Sequence, residues 1–171
     1  MNLKVFHLKV VNSTNNFAIR KIKQGKIMGI VISDSQKKGR GRHGNKWISQ
    51  SGNLFMSIFY RLNKNISINQ LTKKNCLLIQ KRLSRFIKEK ILIKPPNDLL
   101  IKKNKFCGIL QEIIIFKEKK YAIIGIGVNI DKNPNIKNYP TTSLLKYNSK
   151  INKMTIFKNI KKSYEKELLC I

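Results

Sequence analysis

Residues 99–129 read LLIKKNKFCGILQEIIIFKEKKYAIIGIGVN. Apolar, largely β-branched and aromatic side chains fill three runs, Leu99 to Ile101, Lys105 to Phe116 and Tyr121 to Asn129, separated by the polar stretches Lys102-Lys103-Asn104 and Lys117-Glu118-Lys119-Lys120. Runs of that kind broken by short polar turns predict an antiparallel meander. Just upstream, Ile91 to Lys94 predicts a short strand stopped by Pro95-Pro96, because proline donates nothing to a sheet ladder and biases the residue before it toward extended geometry. Leu3 to Val11, Ile27 to Ser33 and Asn53 to Tyr60 predict three earlier strands.

Helices fit between these strands. Asn12-Ser13-Thr14-Asn15 supplies N-cap chemistry ahead of Phe17, Ile19 and Ile22, which predicts a helix ending near Gly25. Ser67 to Lys90 places Ile68, Leu71, Leu78, Leu83, Phe86 and Ile87 mainly on one helical face, and Lys153 to Leu169 predicts a last amphipathic helix. Asp34 to Lys46 holds three glycines and five basic residues and predicts an exposed loop. No proline- or glycine-rich linker and no repeat divides the chain, so its 171 residues predict a single α+β domain, 1–171, with helices over one face of the meander.

Composition narrows the function classes. The most apolar stretch, Tyr121 to Ile130, is too short for the roughly 20 residues of a membrane-spanning helix. Met1 to Val11 lacks the parts of a secretory signal, so a cytoplasmic location and no membrane partner are expected. Cys76, Cys107 and Cys170 form no CxxC pair, and with only His7 and His43 beside them neither a disulfide framework nor a structural metal site is expected. The net charge of +28 points toward polyanions, but the lysines run from Lys4 to Lys166 without a basic helix or an aromatic strand to organise them. Alanine appears only at Ala18 and Ala122, the mark of an A/T-rich coding sequence rather than of a partner. Carboxylates number eight, which makes Asp98 and Glu112, lying between two motifs, stand out.

Three segments carry candidate chemistry. In Gly39-Arg40-Gly41-Arg42-His43-Gly44-Asn45-Lys46-Trp47 the glycines admit a ligand close to the backbone, the arginines offer forks to oxyanions, and the tryptophan offers a flat face. A merely solvated or nucleic-acid-touching loop has the same composition. Lys94-Pro95-Pro96-Asn97-Asp98 sets an amide and a carboxylate at a rigid bend, followed by Lys105 as a point charge and Gly108 as an open backbone position; prolines also simply end strands. Gly125-Ile126-Gly127-Val128-Asn129 puts small residues in a buried strand, as the wall of a ligand site or a plain β-bulge would.

Taken in order, Ser13-Thr14-Asn15, Gln36 with Gly39-Arg40-Gly41-Arg42 and Trp47, Ser51-Gly52-Asn53-Leu54, Pro96-Asn97-Asp98, Lys105 with Gly108-Ile109-Leu110 and Glu112, and Gly125-Ile126-Gly127-Val128-Asn129 closely resemble the catalytic domain of biotin protein ligases (biotin–[acetyl-CoA-carboxylase] ligases), over about residues 8 to 145. The resemblance implies a mixed, largely antiparallel sheet flanked by helices. It implies an enzyme that joins biotin to ATP as biotinyl-5′-AMP and passes the biotinyl group to a lysine of a biotin carboxyl carrier protein, with Mg²⁺ accompanying ATP. By the same resemblance, Ser13, Thr14, Asn15, Gln36, Gly39, Arg40, Trp47, Lys105, Gly108 and Gly127 belong to the biotin site, and Arg42, Trp47, Lys94, Asn97 and Asn129 to the nucleotide site. Lys105 and Arg42 are the expected cations of the first step, and Asp98 the group that receives or orients the incoming amine. The chain departs from the family at Pro95, where tryptophan is usual, so weaker ATP binding is expected, and at Asn45, where arginine is common. A short form, monomer or homodimer, is expected, without a helix-turn-helix or C-terminal β-barrel and without specific DNA binding. The rival readings are a lipoate- or octanoate-handling relative and a nonenzymatic basic nucleic-acid-binding module.

Overall fold

A computed structural model describes residues 2–63, 66–137 and 139–169. Seven strands form one sheet: β1 (Val5–Val11), β2 (Met28–Gln36), β3 (Leu54–Arg61), β4 (Ile91–Lys94), β5 (Asp98–Ile101), β6 (Asn104–Phe116) and β7 (Lys119–Val128). Their spatial order is β1-β2-β3-β7-β6-β5-β4. Only β1 and β2 run parallel; every other neighbouring pair is antiparallel. That exception follows from helix α1 (Thr14–Lys23), because a parallel pair needs a crossover of a dozen or more residues. The α+β class and the β5–β6–β7 meander thus agree with the sequence.

Alternation along β7 explains how the layers form. Ala122, Ile124, Ile126 and Val128 face a large core that also holds Ile30, Ile32, Met56, Ile58 and Ile109, covered by α2 (Ile68–Leu83) and α3 (Lys153–Leu169). Tyr121 and Ile123 point the opposite way and join Val31, Phe59, Ala18 and Ile22 in a smaller cluster beneath α1. Each of these large side chains contributes about 1.5–3 kcal/mol on burial. Helices therefore cover both faces, not one, because β2, β3 and β7 are apolar on both sides.

Caps set the helix starts. The Ser13 hydroxyl accepts from Asn16 N at 3.5 Å, and Ser67 with Gln70 forms a reciprocal capping box at the start of α2. The second helix stops at Leu83, earlier than the expected Lys90. Phe86 and Ile87 carry the apolar period onward, but they pack on the same core from a turn, with Phe86 N bonded to Leu83 O at 3.0 Å. Cys76 and Cys107 are buried free thiols, while Cys170 lies outside the described residues. No helix among the described residues is long and apolar enough to cross a membrane.

Candidate active site

Beyond the N-terminal turn of α1, the face it covers is left open. There β7 presents Gly125 and Gly127, and β6 presents Gly108 opposite Gly127. A side chain at either of the last two positions would collide with Trp47: a Cβ on Gly127 would stand 2.5 Å from Cε2, and one on Gly108 2.7 Å from Cζ3. The indole lies flat on bare backbone, and that close approach is what the glycines permit. A pocket of about 240 Å³ opens beside it.

The glycine-rich loop delivers Trp47 to this floor. Arg40 and Lys46 form an antiparallel bridge, Gly41 N donates to Asn45 O at 2.7 Å, and Trp47 N donates to Gly39 O at 3.0 Å. His43 (φ 52°) and Gly44 (φ 76°) turn the tip through left-handed geometry. Gly39 is buried, and a Cβ there would strike the Trp47 carbonyl, so it shapes the loop; it lines the adjoining recess rather than the pocket itself.

One end of the pocket is a connected polar network. Gln36 Oε1 accepts from Thr14 N at 2.9 Å and Thr14 Oγ1 at 3.1 Å, and Gln36 Nε2 donates to Ser49 Oγ at 3.0 Å. Ser57 Oγ, buried in β3, lies 2.7 Å from Thr14 Oγ1 and 2.5 Å from Asn15 Oδ1. Asn15 Nδ2 donates to Glu112 Oε2 at 2.7 Å, and Arg40 Nη2 donates to Glu112 Oε1 at 2.7 Å. Arg40 also donates to Asn16 Oδ1 at 2.7 Å, so Glu112 ties the loop and the first turn of α1 to the sheet. Charge-assisted bonds of this kind are about twice as strong as neutral ones.

The other end is ionic. Lys105 Nζ stands 2.8 Å from Asp98 Oδ1 and 5.3 Å from the centroids of both the Trp47 and Tyr139 rings. Tyr139 Oη donates to Asp98 Oδ2 at 2.5 Å, and burial followed by this bond pushes the phenol's pKa well up, so it remains a donor. Asn97 Nδ2 donates to Ile109 O at 2.9 Å, holding the bend after Pro96. Cys76 Sγ meets the Pro96 carbonyl from behind at 3.6 Å.

Ser13, Thr14, Asn15, Gln36, Arg40, Arg42, Trp47, Asn97, Asp98, Lys105, Gly108 and Gly127 all line this one pocket. Besides Gly39, two singled-out residues stand apart from its lining. Lys94 is exposed, with Nζ 4.5 Å from the Tyr139 ring centroid. Asn129 is buried, with Nδ2 donating to Thr142 O at 3.2 Å. Pro95, where the family usually has tryptophan, is exposed. Ser49, Ser57 and Tyr139 escaped the sequence reading. Ser57, a small polar residue amid the apolar run Leu54–Tyr60, carried a usable signal; Tyr139 carried none.

The family model for the biotin/lipoate A/B protein ligase family matches residues 7–129. The bifunctional ligase/repressor BirA of Escherichia coli (strain K12) is 32% identical over 126 residues, which cover 72% of this chain and 39% of that protein. BirA of Bacillus subtilis (strain 168) is 31% identical over 145 residues, 80% of this chain and 45% of the relative. The chain thus spans less than half the length of these curated relatives. The solved biotin protein ligase from Aquifex aeolicus in complex with biotin and ATP superposes with a TM-score of 0.78 at 27% identity, covering 96% of this chain and 70% of that one. The Leishmania major biotin protein ligase in complex with biotinyl-5-AMP, at 22% identity, shares the fold with a TM-score of 0.81, over 94% of this chain and 72% of the other. The matched residues run from β1 through β7 and include Ser13, the loop carrying Trp47, Asp98, Lys105 and both pocket glycines of β7, and on that match the chain belongs to the biotin/lipoate A/B protein ligase family.

Proposed function

We propose that this chain activates biotin with ATP as biotinyl-5′-AMP and transfers the biotinyl group to a lysine of a biotin carboxyl carrier protein. One observation carries the reading: Trp47 spans a pocket whose two ends differ in kind. Its carbonyl lies 3.4 Å from Ser49 Oγ, beside the uncharged donors and acceptors of Gln36, Thr14 and Ser57, which the Asn15–Glu112–Arg40 chain backs, and its ring lies beneath the Lys105 ammonium. Biotin has the matching order of groups: a ureido ring that donates and accepts, an apolar chain, and a carboxylate.

The first step brings two anions together. Lys105, at the ionic end, and Arg42, which lines the same pocket from the exposed loop, supply the positive charge, and a preorganised donor of this kind is worth roughly 3–4 kcal/mol. To reach the reacting phosphate Lys105 leaves Asp98, so this step also uncovers a carboxylate. The second step needs one, because a lysine amine, which ordinarily titrates at about 10.4, is mostly protonated near neutral pH and attacks only after losing its proton. Asp98, paired with Lys105 in the same pocket, serves to orient that amine and accept its proton. Asn97 remains on the nucleotide side, and the exposed Lys94 contributes positive charge beside Tyr139.

Mg²⁺ is expected to enter on ATP's own phosphate oxygens. The donor set does not make a protein cage for it: Asp98 is held by Lys105 and Tyr139, Glu112 by Arg40 and Asn15, and the described residues contain no cluster of three or more metal-ligating side chains.

Mass spectrometry of single-turnover mixtures tests the proposal. Biotin and ATP should yield biotinyl-AMP, and lipoate or octanoate in place of biotin should yield far less acyl-adenylate. A preference for lipoate would transfer the chain to the lipoate side of its family.

A further inference from the structure

Tyr139 lies outside every motif noted in the sequence, yet its position is fixed at the residue around which the chemistry turns. The segment after β7 returns to the start of β6 and pairs there: Lys105 N donates to Pro140 O at 2.9 Å, and Thr142 N donates to Lys105 O at 2.9 Å. Lys105 and Thr141 form an isolated parallel bridge. The backbone of Lys105 is thereby locked to the residues that follow Tyr139, and the side chains of both converge on Asp98.

The two oxygens of that carboxylate are held differently. Oδ2 accepts the short bond from the Tyr139 hydroxyl, while Oδ1 meets Lys105 Nζ as an ion pair at 2.8 Å without an aligned hydrogen bond from any described residue. The Tyr139 ring is itself held by ammonium groups on two strands, Lys94 at 4.5 Å and Lys105 at 5.3 Å. When Lys105 moves toward a phosphate, Oδ1 is released and Oδ2 is not.

We infer that Tyr139 is a positioning residue for the transfer step, holding Asp98 by Oδ2 so that Oδ1 faces the incoming amine after Lys105 has left. The inference rests on the ligase reading above. In the step it serves, the protonated lysine amine first gives one proton to Oδ1, from which it passes to solvent; the neutral nitrogen then bonds to the biotinyl carbonyl carbon, the carbon–oxygen bond to AMP breaks, AMP leaves with the bonding pair, and the second nitrogen proton is lost to solvent. Adenylate formation needs Lys105 and Arg42 but not an oriented Asp98, so the two half-reactions should respond differently to loss of the hydroxyl.

Tyr139→Phe keeps the ring and its contacts with Lys94 and Lys105 and removes only the donor. Biotin-dependent ATP–pyrophosphate exchange should stay within about threefold of the unsubstituted protein. Transfer from preformed biotinyl-AMP to Nα-acetyl-lysine methylamide, corrected for the enzyme-free rate, should fall about tenfold, the size expected for a lost hydrogen bond to a charged group. Transfer to hydroxylamine, already neutral at neutral pH, should hardly change. In an Asp98→Asn background the same Tyr139 substitution should slow transfer no further, since its effect runs through the carboxylate. A Tyr139→Phe variant that slows both half-reactions equally, slows neither, or adds its full penalty to Asp98→Asn overturns the assignment. Absence of biotin-dependent exchange in the unsubstituted protein would overturn the ligase reading and this inference with it, a result distinct from intact exchange with unaltered transfer.

Discussion

Replacing Gly127 by alanine adds one carbon at the most crowded point of the pocket floor. The added Cβ would stand 2.5 Å from Trp47 Cε2, 2.7 Å from Cζ2 and 2.8 Å from Nε1. Carbon atoms sit comfortably at about 3.5–4.0 Å, so the indole must rise by roughly 1 Å. Sliding sideways gives little relief, because the ring also lies on Gly108, where a Cβ would stand 2.7 Å from Cζ3 and 3.3 Å from Lys105 Cε. Overpacking of this size costs about 1–3 kcal/mol. Trp47 is carried by a half-exposed loop, so most of the strain should appear as a displaced ring rather than an unfolded sheet. A misplacement of about 1 Å can cost on the order of 10²-fold in rate. Trp47 is the only tryptophan, which makes its fluorescence a direct reporter. Gly127→Ala should alter the emission of the free protein, raise the midpoint of a biotin titration, slow biotin-dependent exchange by on the order of 10²-fold, and lower the melting temperature by only a few degrees. Adding Trp47→Phe, with its smaller ring, should recover part of the lost biotin-dependent exchange. Unchanged emission and an unchanged titration midpoint in Gly127→Ala would refute the claim that the bare glycine backbone is what seats Trp47.

Glu112→Gln replaces one acceptor oxygen by a donor facing Arg40 or Asn15, both donors themselves, and should destabilise by about 1–2 kcal/mol after allowance for the exposure of Arg40. Trypsin should then cut between Arg40 and Lys46 severalfold faster than in the unsubstituted protein, and biotin with ATP should slow that cleavage in the latter. Burial pushes the Glu165 carboxyl up, but its bonds from Lys161 Nζ and Leu3 N outweigh burial and hold it below the usual glutamate value. Its stabilising contribution is therefore complete at neutral pH and disappears as the pH falls through that lowered value; Glu165→Gln should narrow the stability difference between neutral and acid denaturant melts. Burial, with a smaller contribution from Asp98, pushes the Cys76 thiol up to about 11, and burial pushes Cys107 well above the ordinary thiol value. In a Cys170→Ser background neither should react with a thiol reagent at mildly alkaline pH until denaturant is added.

Much of the site was readable because strand geometry is simple. Gly125 and Gly127 stand two residues apart, so a strand must put both on one face, and Gly108 in the next strand falls opposite Gly127 once the meander is accepted. The loop from Gly39 to Trp47 was legible because its side chains could not serve a core. Tyr139 was invisible for the opposite reason: it is 41 residues from Asp98 in a stretch without periodicity, and only tertiary pairing brings them together. The end of α2 was misjudged because Phe86 and Ile87 are buried by a turn, and burial alone extends an apolar period beyond its helix. The two-sided cover of the sheet was present in the alternation of Tyr121 and Ile123 with Ala122 and Ile124, all apolar, which a single layer of helices could not bury.

The central claim is that Lys105, poised between Asp98 and the Trp47 ring, serves the activation of biotin by ATP. Exchange of labelled pyrophosphate into ATP by the purified chain, measured with and without biotin and repeated with Lys105→Ala, tests it most directly. The account predicts exchange that requires biotin and falls to the blank in a Lys105→Ala variant whose melting curve remains cooperative. Exchange independent of biotin, or undiminished in that variant, would contradict it.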